Sequence, residues 1–215
     1  MRTTIIIMLL FNLILVDLNA KKLPQSGFFI DKNRDTSYCT FKIPLYRSKH
    51  DEFKIDMIKL QGKIKIKLTR NRDTKTLLPD SIYSIHFSYN NRVYELRSIN
   101  QDISLNGKSM FLQTLSDGRI KYYLFYRKIP IFKPGVNWYH YPILDLYISP
   151  LRLERVLIQK DEQQLHKLTR RYYNNELKDL ISDCPDIYEK YIQTEEYNYK
   201  NISKLIFEYN NCFLK

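Results

Sequence analysis

Apolar and polar residues alternate along most of the chain, from Gly27 to about Lys160, and isoleucine, tyrosine, phenylalanine and threonine are abundant there. An alternation with a period of two is typical of strands that bury one face, and turn residues recur between the segments. The pattern therefore predicts a meandering antiparallel sheet over about residues 27–159. The first strands are predicted at 28–32, 36–43, 55–60 and 63–68, with a hairpin turn at Asn33-Arg34-Asp35.

The clearest hairpin surrounds Asn90-Asn91, because asparagine tolerates the positive φ angles that a two-residue turn requires. If Tyr89 pairs with Arg92, the register divides the hairpin into a core face and a solvent face. The core face carries Ile85, Phe87, Tyr94 and Leu96, and the solvent face carries Ser84, His86, Glu95 and Arg97. A second hairpin is predicted at 110–115 and 119–126, and two more strands at 143–148 and 153–158.

The hydrophobic period changes to that of helices after Asp161. Apolar residues from Leu165 to Ile181 recur at helical spacing, so a helix is predicted there, and Cys184-Pro185 should end it. A short helix after the proline and a last one over about 201–211 follow. The predicted fold class is α+β: one domain over 21–215, with an antiparallel meander sheet or partial barrel over 27–159 and a small C-terminal helical tail over 161–215.

Residues 1–20 differ from the rest of the chain. Arg2 supplies a positive start, Ile5–Val16 is an apolar run of 12 residues, and the segment ends at Ala20. These features are those of a secretory signal peptide, and the apolar run is shorter than the roughly 20 residues that a membrane-spanning helix needs. The sequence predicts export to the periplasm or the cell surface, with no transmembrane segment in the mature chain.

The net charge of +12 is unevenly placed. Residues 151–215 contain 11 Lys+Arg and 11 Asp+Glu, so the whole excess of positive charge lies before residue 151. A one-sided positive field attracts anionic partners, and export removes the protein from most nucleic acid. The predicted partners are an envelope protein, an acidic glycan or lipid headgroups, and no nucleic acid.

The most regular basic segment alternates lysine with apolar residues over Lys63–Leu68. A strand with this pattern lines three ammonium groups along one face, and two arginines follow it. The candidate anion-binding residues are Lys63, Lys65, Lys67, Arg70 and Arg72. The alternative is an edge strand that carries lysines to prevent aggregation.

Aromatic residues crowd the proline-containing segment that follows the second hairpin. Trp138, Tyr139 and Tyr141 are candidate contacts for a sugar face or a protein partner, since exposed rings stack on such ligands. Alternatively, these rings cap an open end of the sheet and belong to the core.

The sequence carries no linear catalytic, metal or cofactor motif. The four histidines stand far apart without metal-ligand spacing, and neither a glycine-rich phosphate loop nor a G-x-S-x-G elbow occurs. His86 opposite Glu95, with Ser84 beside it, can be drawn as a hydrolase triad, but an exposed cross-strand ion pair is the simpler interpretation. No catalytic residue, metal ligand or cofactor is therefore predicted, although a site built from carboxylates and tyrosines would leave no linear motif.

Three segments together resemble a family of uncharacterised proteins exported by Gram-negative bacteria. They are Gly27-Phe-Phe-Ile with Asp35-Thr36, the strand Phe111-Leu-Gln-Thr-Leu before Asp117-Gly118, and the tail Leu180-Ile-Ser-Asp-Cys184-Pro185 followed by Tyr209-Asn-Asn-Cys212. The resemblance implies export and this domain layout, and it brings no assigned activity. The sequence departs from the family pattern by having Arg34 where a glycine usually precedes the Asp-Thr pair, and by its extra Cys39.

Three cysteines in an exported protein allow one disulfide and one remaining thiol. Cys184 and Cys212 both lie in the tail that resembles the family, each at a predicted helix end, so the resemblance implies that they form the bridge. Closing such a loop stabilises a fold by roughly 3.5 kcal/mol in the chain-entropy model. A redox or metal pair is the alternative, but no CxxC spacing supports it, and Cys39 is predicted to be a buried, inert thiol.

These observations lead to a functional hypothesis. The chain is expected to be an exported, non-enzymatic binding or interaction module of the cell envelope. The alternative is a hydrolase or transferase that acts on envelope glycans, which would require close carboxylates in a concave site.

Overall fold

The fold was obtained as a computed structural model, which describes residues 22–47, 53–69, 73–102, 106–128, 152–161, 163–169, 173–193, 197 and 201–213. Within these residues it contains one large antiparallel sheet, four short α-helices and one 3-10 helix, Pro79–Ser81. The strands are β1 (Lys22–Asp31), β2 (Thr36–Arg47), β3 (Phe53–Ile55), β4 (Ile64–Leu68), β5 (Thr74–Leu77), β6 (Ile82–Tyr89), β7 (Arg92–Asp102), β8 (Lys108–Ser116), β9 (Ile120–Lys128), β10 (Arg152–Lys160) and β11 (His166–Leu168). The helices are α1 (Met57–Gly62), α2 (Tyr173–Ile181), α3 (Pro185–Gln193) and α4 (Ile202–Cys212).

The strand order is β11-β10-β9-β8-β7-β6-β1-β2-β4-β5, and β3 pairs with β2 outside this path. From β6 to β11 each described strand pairs with the next one in sequence, which is a meander. The hairpin of β1 and β2 is inserted between β6 and β4. The described sheet is not closed, because β11 and β5 remain its two ends, and the predicted α+β class with a meander sheet is confirmed.

The hairpin of β6 and β7 has the predicted register: Tyr89 pairs with Arg92, and Phe87 pairs with Tyr94. Asn90 and Asn91 adopt φ angles of 49° and 59°, as a two-residue turn requires. The predicted solvent face is only partly exposed, since Ser84 is 1% exposed. The reason is a small second core on that face of the sheet, formed by Leu112, Tyr123, Leu157 and Leu165.

The turn between β1 and β2 explains the unusual Arg34. Its φ of 72° lies in the left-handed region that favours glycine. The carboxylate of Asp31 accepts hydrogen bonds from the backbone N–H groups of Asn33 and Asp35, at 2.8 and 3.0 Å. The Arg34 guanidinium lies 3.5 Å from the centre of the Tyr83 ring. We infer that this cation–π contact offsets part of the cost of a non-glycine residue at this position.

Two predicted elements were wrong. Residues 55–60 do not form a strand, because β3 ends at Ile55 and α1 begins after Asp56, whose carboxylate accepts a hydrogen bond from the Lys59 N–H at 3.3 Å. The tail helix does not begin near residue 165, because His166–Leu168 form β11 and pair with β10 instead. A free sheet edge nearby therefore overrides the helical spacing of these residues.

The remaining tail helices agree with the prediction: α2 ends at Ile181, α3 begins at Pro185, and α4 spans Ile202–Cys212. The predicted strand at 143–148 lies outside the described residues.

Two larger clusters of buried side chains form the core. One lies between α1 and the middle of the sheet, and its fully buried members include Phe41, Leu60 and Ile85. The other lies where the C-terminal helices pack on β9, β10 and β11, and includes Ile120, Leu177 and Tyr209. The first cluster requires Gly27, because a Cβ atom there would lie 2.1 Å from the His86 carbonyl oxygen and 2.8 Å from the Phe41 ring.

Candidate functional site

The predicted anion-binding lysines lie at the start of β4 and along it. Lys65 and Lys67 point to the exposed face of the strand, while Ile64 and Ile66 are buried, so the alternation of the sequence is reproduced. The strand is not at an edge of the sheet, since it lies between β2 and β5. Protection of an edge therefore does not account for its lysines. Arg70 and Arg72 lie outside the described residues.

Lys63 and Lys65 line a cavity of about 440 Å³ together with Lys42 and Lys59. We call this site the lysine pocket. Its remaining described lining is apolar and comes from β2 and α1: Pro44, Ile58, Leu60 and Gly62. Ammonium groups thus surround an apolar floor.

The lysines come together because of the register between β2 and β4. Thr40 pairs with Lys67 and Phe41 pairs with Ile66, and Lys42 and Lys65 come directly after this last pair, so continuing the register would place them opposite one another. Like charges directly opposite one another destabilise a sheet. A bound anion between the two ammonium groups would remove this repulsion.

One lysine of the pocket already has an acidic neighbour. The Lys59 ammonium lies 3.3 Å from the carboxylate of Asp56, the residue that also caps α1. Within the described residues, no ion pair engages Lys42, Lys63 or Lys65. These three ammonium groups are therefore available as donors to an anionic group, and lysine is a common ligand of phosphate.

A second and larger concave site was missed by sequence reasoning. It has a volume of about 1180 Å³ and lies on the sheet beside β3 and the turn of the β6–β7 hairpin. We call it the tyrosine cleft. Its described lining consists of aromatic, amide, cationic and apolar residues: Tyr46, Phe53, Tyr89, Tyr94 and Tyr126; Gln25, Asn90 and Gln113; Lys54 and Arg92; and Ile55, Met57 and Leu124.

Several side chains of the cleft are fixed by hydrogen bonds. Tyr89 Oη donates to the carbonyl oxygen of Phe53 at 2.8 Å, and Tyr126 Oη donates to Gln113 Oε1 at 2.7 Å. The buried amide of Gln61 bonds to both backbone groups of Tyr126, at 2.7 and 3.0 Å. The period-two pattern placed Tyr94 on the core face correctly, but it did not show that this face stays open near the hairpin.

The residues that could be drawn as a triad are arranged differently from either sequence interpretation. Ser84 Oγ lies 2.9 Å from His86 Nε2, and the His86 ring stacks on Phe28 with centroids 4.5 Å apart. The Glu95 carboxylate forms an ion pair with Arg97 at 3.0 Å, and not the expected one with His86. Burial lowers the pKa of His86. Because Ser84 is buried, its hydroxyl is not presented to a substrate.

The motif residues of the tail meet at one place on the sheet. Tyr209 Oη donates to Asp183 Oδ1 at 2.8 Å, and the Asp183 carboxylate also pairs with Arg119 at 3.0 Å and with Lys160 at 2.9 Å. Asn210 bonds to the turn between β8 and β9. We call this group the tail clamp. Burial raises the pKa of Tyr209, and the bond to Asp183 raises it further.

The cysteines of the tail are at bonding distance. The Sγ atoms of Cys184 and Cys212 are 2.08 Å apart, which connects the start of α3 to the end of α4. A disulfide is compatible with export, since oxidising compartments preserve such bonds. Cys39 is a free, buried cysteine, and burial raises the pKa of its thiol to about 12.

Other predicted features can be placed only in part. The candidate aromatic contacts Trp138, Tyr139 and Tyr141 lie outside the described residues. Among the described residues, no group of three or more His, Cys, Asp or Glu side chains is placed to hold a metal ion. In the same part of the chain, no helix has the length and apolar character needed to cross a bilayer.

A scan against protein-family models, a search of curated proteins and a search of solved structures each found no match to this chain.

Proposed function

We propose that the chain is an exported, non-enzymatic binding module of the cell envelope, and that its lysine pocket binds the anionic headgroup of a phospholipid. The observation that carries the proposal is the convergence of Lys42, Lys63 and Lys65 on one cavity with an apolar floor. The ammonium groups suit a phosphate, and the apolar floor suits the adjoining hydrocarbon. Among the described residues of its lining there is no aromatic ring or amide side chain that would recognise a sugar, which favours a lipid over an acidic glycan at this site.

The electrostatics of the chain support the same ligand. The positive charge is concentrated before residue 151, the part that contains all four lysines of the pocket. Each lysine near an anionic membrane surface contributes about 1 kcal/mol to binding. Three lysines therefore account for about a 100-fold difference in the partition coefficient between the membrane and water.

The proposal is tested with lipid vesicles and residues 21–215, the predicted mature chain. Binding to phosphatidylcholine vesicles is compared with binding to vesicles that also contain phosphatidylglycerol, by co-sedimentation at low and high salt. We expect binding only to the anionic vesicles. The triple variant Lys42→Gln, Lys63→Gln and Lys65→Gln should reduce the partition coefficient about 100-fold, because it removes three lysines worth about 1 kcal/mol each.

The control variant removes the same number of charges elsewhere. Lys108, Lys167 and Lys178 are exposed and lie on β8, β11 and α2, outside the pocket. Their replacement by glutamine should leave most of the binding intact. An equal loss in the two triple variants would show that net charge alone drives binding, and would overturn the assignment to the pocket. Failure of the unmodified protein to bind anionic vesicles would overturn the proposed function itself.

A further inference from the structure

The tyrosine cleft has the features of a site for an extended ligand. Its volume of about 1180 Å³ exceeds the roughly 300–1,000 Å³ that small-molecule sites usually have. The walls come from both halves of the sheet, with β2 and β3 on one side and β8 and β9 on the other. Several monomers of a chain molecule would therefore fit along it.

Three of the rings in the cleft are held in place by contacts within the protein. Tyr94 stacks on the buried Phe87, with centroids 5.3 Å apart and an interplanar angle of 9°. The hydroxyl of Tyr89 donates a hydrogen bond to the backbone carbonyl of Phe53, and the hydroxyl of Tyr126 donates one to the side chain of Gln113. A ligand that binds to prepositioned rings does not have to immobilise them, which removes part of the entropic cost of binding.

The chemistry of the lining fits a sugar chain. The C–H groups on the flat face of a pyranose ring pack against the electron-rich face of an aromatic ring. Sugar hydroxyls both donate and accept hydrogen bonds, as do the side-chain amides of Gln25, Asn90 and Gln113.

The charge of the cleft favours an acidic sugar. Arg92 is exposed at the start of β7, directly opposite Tyr89 in the hairpin register. Its guanidinium presents paired donors that match the two oxygens of a carboxylate. Lys54 adds a second positive charge to the same lining. The described lining contains no aspartate or glutamate.

We infer that the tyrosine cleft binds an oligosaccharide of carboxylate-bearing sugars, with Phe53 and Tyr94 stacking on the sugar rings and Arg92 pairing with a carboxylate. This ligand is distinct from the lipid headgroup proposed for the lysine pocket, and the two sites share no lining residue. The protein would then hold an acidic glycan and an anionic membrane surface at the same time.

The inference is tested by calorimetric titration of the purified protein with three probes: tetragalacturonate, the neutral chain cellotetraose, and the acidic peptide tetraglutamate. We expect tetragalacturonate to bind at least ten times more tightly than the other two. Equal affinity for cellotetraose would overturn the acidic specificity. Preferential binding of tetraglutamate, or no binding of tetragalacturonate, would overturn the assignment of a sugar ligand.

Two substitutions locate the binding to the cleft. Phe53→Ala removes a ring that is 43% exposed, while its backbone carbonyl still accepts the bond from Tyr89, so the fold should be preserved. The matched control is Phe207→Ala, which removes a ring that is 64% exposed on α4, outside the cleft. We expect about a tenfold or greater loss of affinity for Phe53→Ala and none for Phe207→Ala. Equal affinities in the two variants would place the sugar elsewhere.

The charge and the independence of the site are tested separately. Arg92→Gln should reduce the affinity for tetragalacturonate toward that for cellotetraose, while Lys75→Gln, an exposed charge on β5, should not. The triple variant of the lysine pocket should bind tetragalacturonate as the unmodified protein does. Loss of sugar binding in that variant would overturn the inference, while its loss of vesicle binding alone would support both sites.

Discussion

The tail clamp depends on a close fit between Gly118 and Asn210, which can be tested by a double-mutant cycle. Asn210 Oδ1 accepts a hydrogen bond from the Ile120 N–H, and its Nδ2 donates to the Ile120 carbonyl and to Ser116 Oγ, each at 2.9 Å. A Cβ atom on Gly118 would lie 2.5 Å from Asn210 Cγ. An alanine at position 118 must therefore displace the asparagine side chain, which strains or breaks the same bonds.

The magnitudes follow from these contacts. Asn210→Ala removes three hydrogen bonds and leaves both backbone groups of the buried Ile120 without their partner, which costs about 3 kcal/mol. Gly118→Ala should cost about 2 kcal/mol, because the displaced side chain is compressed or loses its bonds. Truncation of Asn210 to alanine removes the three atoms that lie nearest to the added methyl group. The double variant should then be about as stable as Asn210→Ala alone, with a coupling energy of about 2 kcal/mol.

The free energy of unfolding is measured by urea titration at pH 7, followed by far-ultraviolet circular dichroism, with the disulfide kept oxidised. Asn211→Ala is the matched control, because Asn211 is exposed on the same helix. It should change the free energy of unfolding by less than about 0.5 kcal/mol. Strictly additive effects of the Gly118 and Asn210 substitutions would refute the reasoning, since independent sites add and residues in contact do not.

Three further predictions concern other parts of the chain. Gly27→Ala should lower the free energy of unfolding by at least about 2 kcal/mol, because its Cβ has no room, whereas Gly62→Ala, whose Cβ would meet no atom within 4 Å, should have little effect in the same urea titration. Cys39 should react with a thiol reagent at pH 8 only as fast as the protein unfolds, because burial raises its pKa to about 12; rapid labelling of the native protein would contradict its burial. Burial alone would raise the pKa of Asp183, but its bonds to Lys160 and Tyr209 outweigh this effect and lower it below 3.8. The carboxylate therefore stabilises the fold above pH 3.8, and this contribution is lost as the pH falls through the lowered pKa. Asp183→Asn should accordingly lower the free energy of unfolding at pH 7 and lower it much less at pH 2. An equal loss at both pH values would exclude the ion-pair explanation.

The tail clamp gives a structural role to polar residues of the C-terminal tail and of the turn between β8 and β9. Asp183, Tyr209 and Asn210 are all used to attach the helices to the sheet, and Gly118 provides the space that Asn210 needs. The disulfide joins two ends within the tail, and the hydrogen bonds and ion pairs join the tail to β8, β9 and β10. In the described structure, these four residues attach the tail to the sheet and lie outside both concave sites, whereas Gln113 of the segment Phe111-Leu-Gln-Thr-Leu lines the tyrosine cleft.

Local pattern predicted the parts of the fold that depend on neighbouring residues. The hairpin around Asn90 and Asn91 is an example, since the turn preference of asparagine and the alternation of its flanking residues together determine one register. The helix after Pro185 is another. The errors occurred where packing on the sheet decided the outcome: His166–Leu168 pair with β10 and extend the sheet, and residues 57–62 form a helix that packs against β8 and β9.

The candidate sites show the same division. The sequence by itself determined that Lys63, Lys65 and Lys67 share one side of a strand, because side chains alternate with a period of two. Only the tertiary structure decided that Lys42 and Lys59 join Lys63 and Lys65 at one cavity, since this depends on the register of β2 with β4 and on the position of α1. The tyrosine cleft depends on tertiary structure entirely. Its rings come from five different strands. The alternation of apolar and polar residues indicates which face of the sheet a residue occupies, but it does not indicate whether another element covers that face.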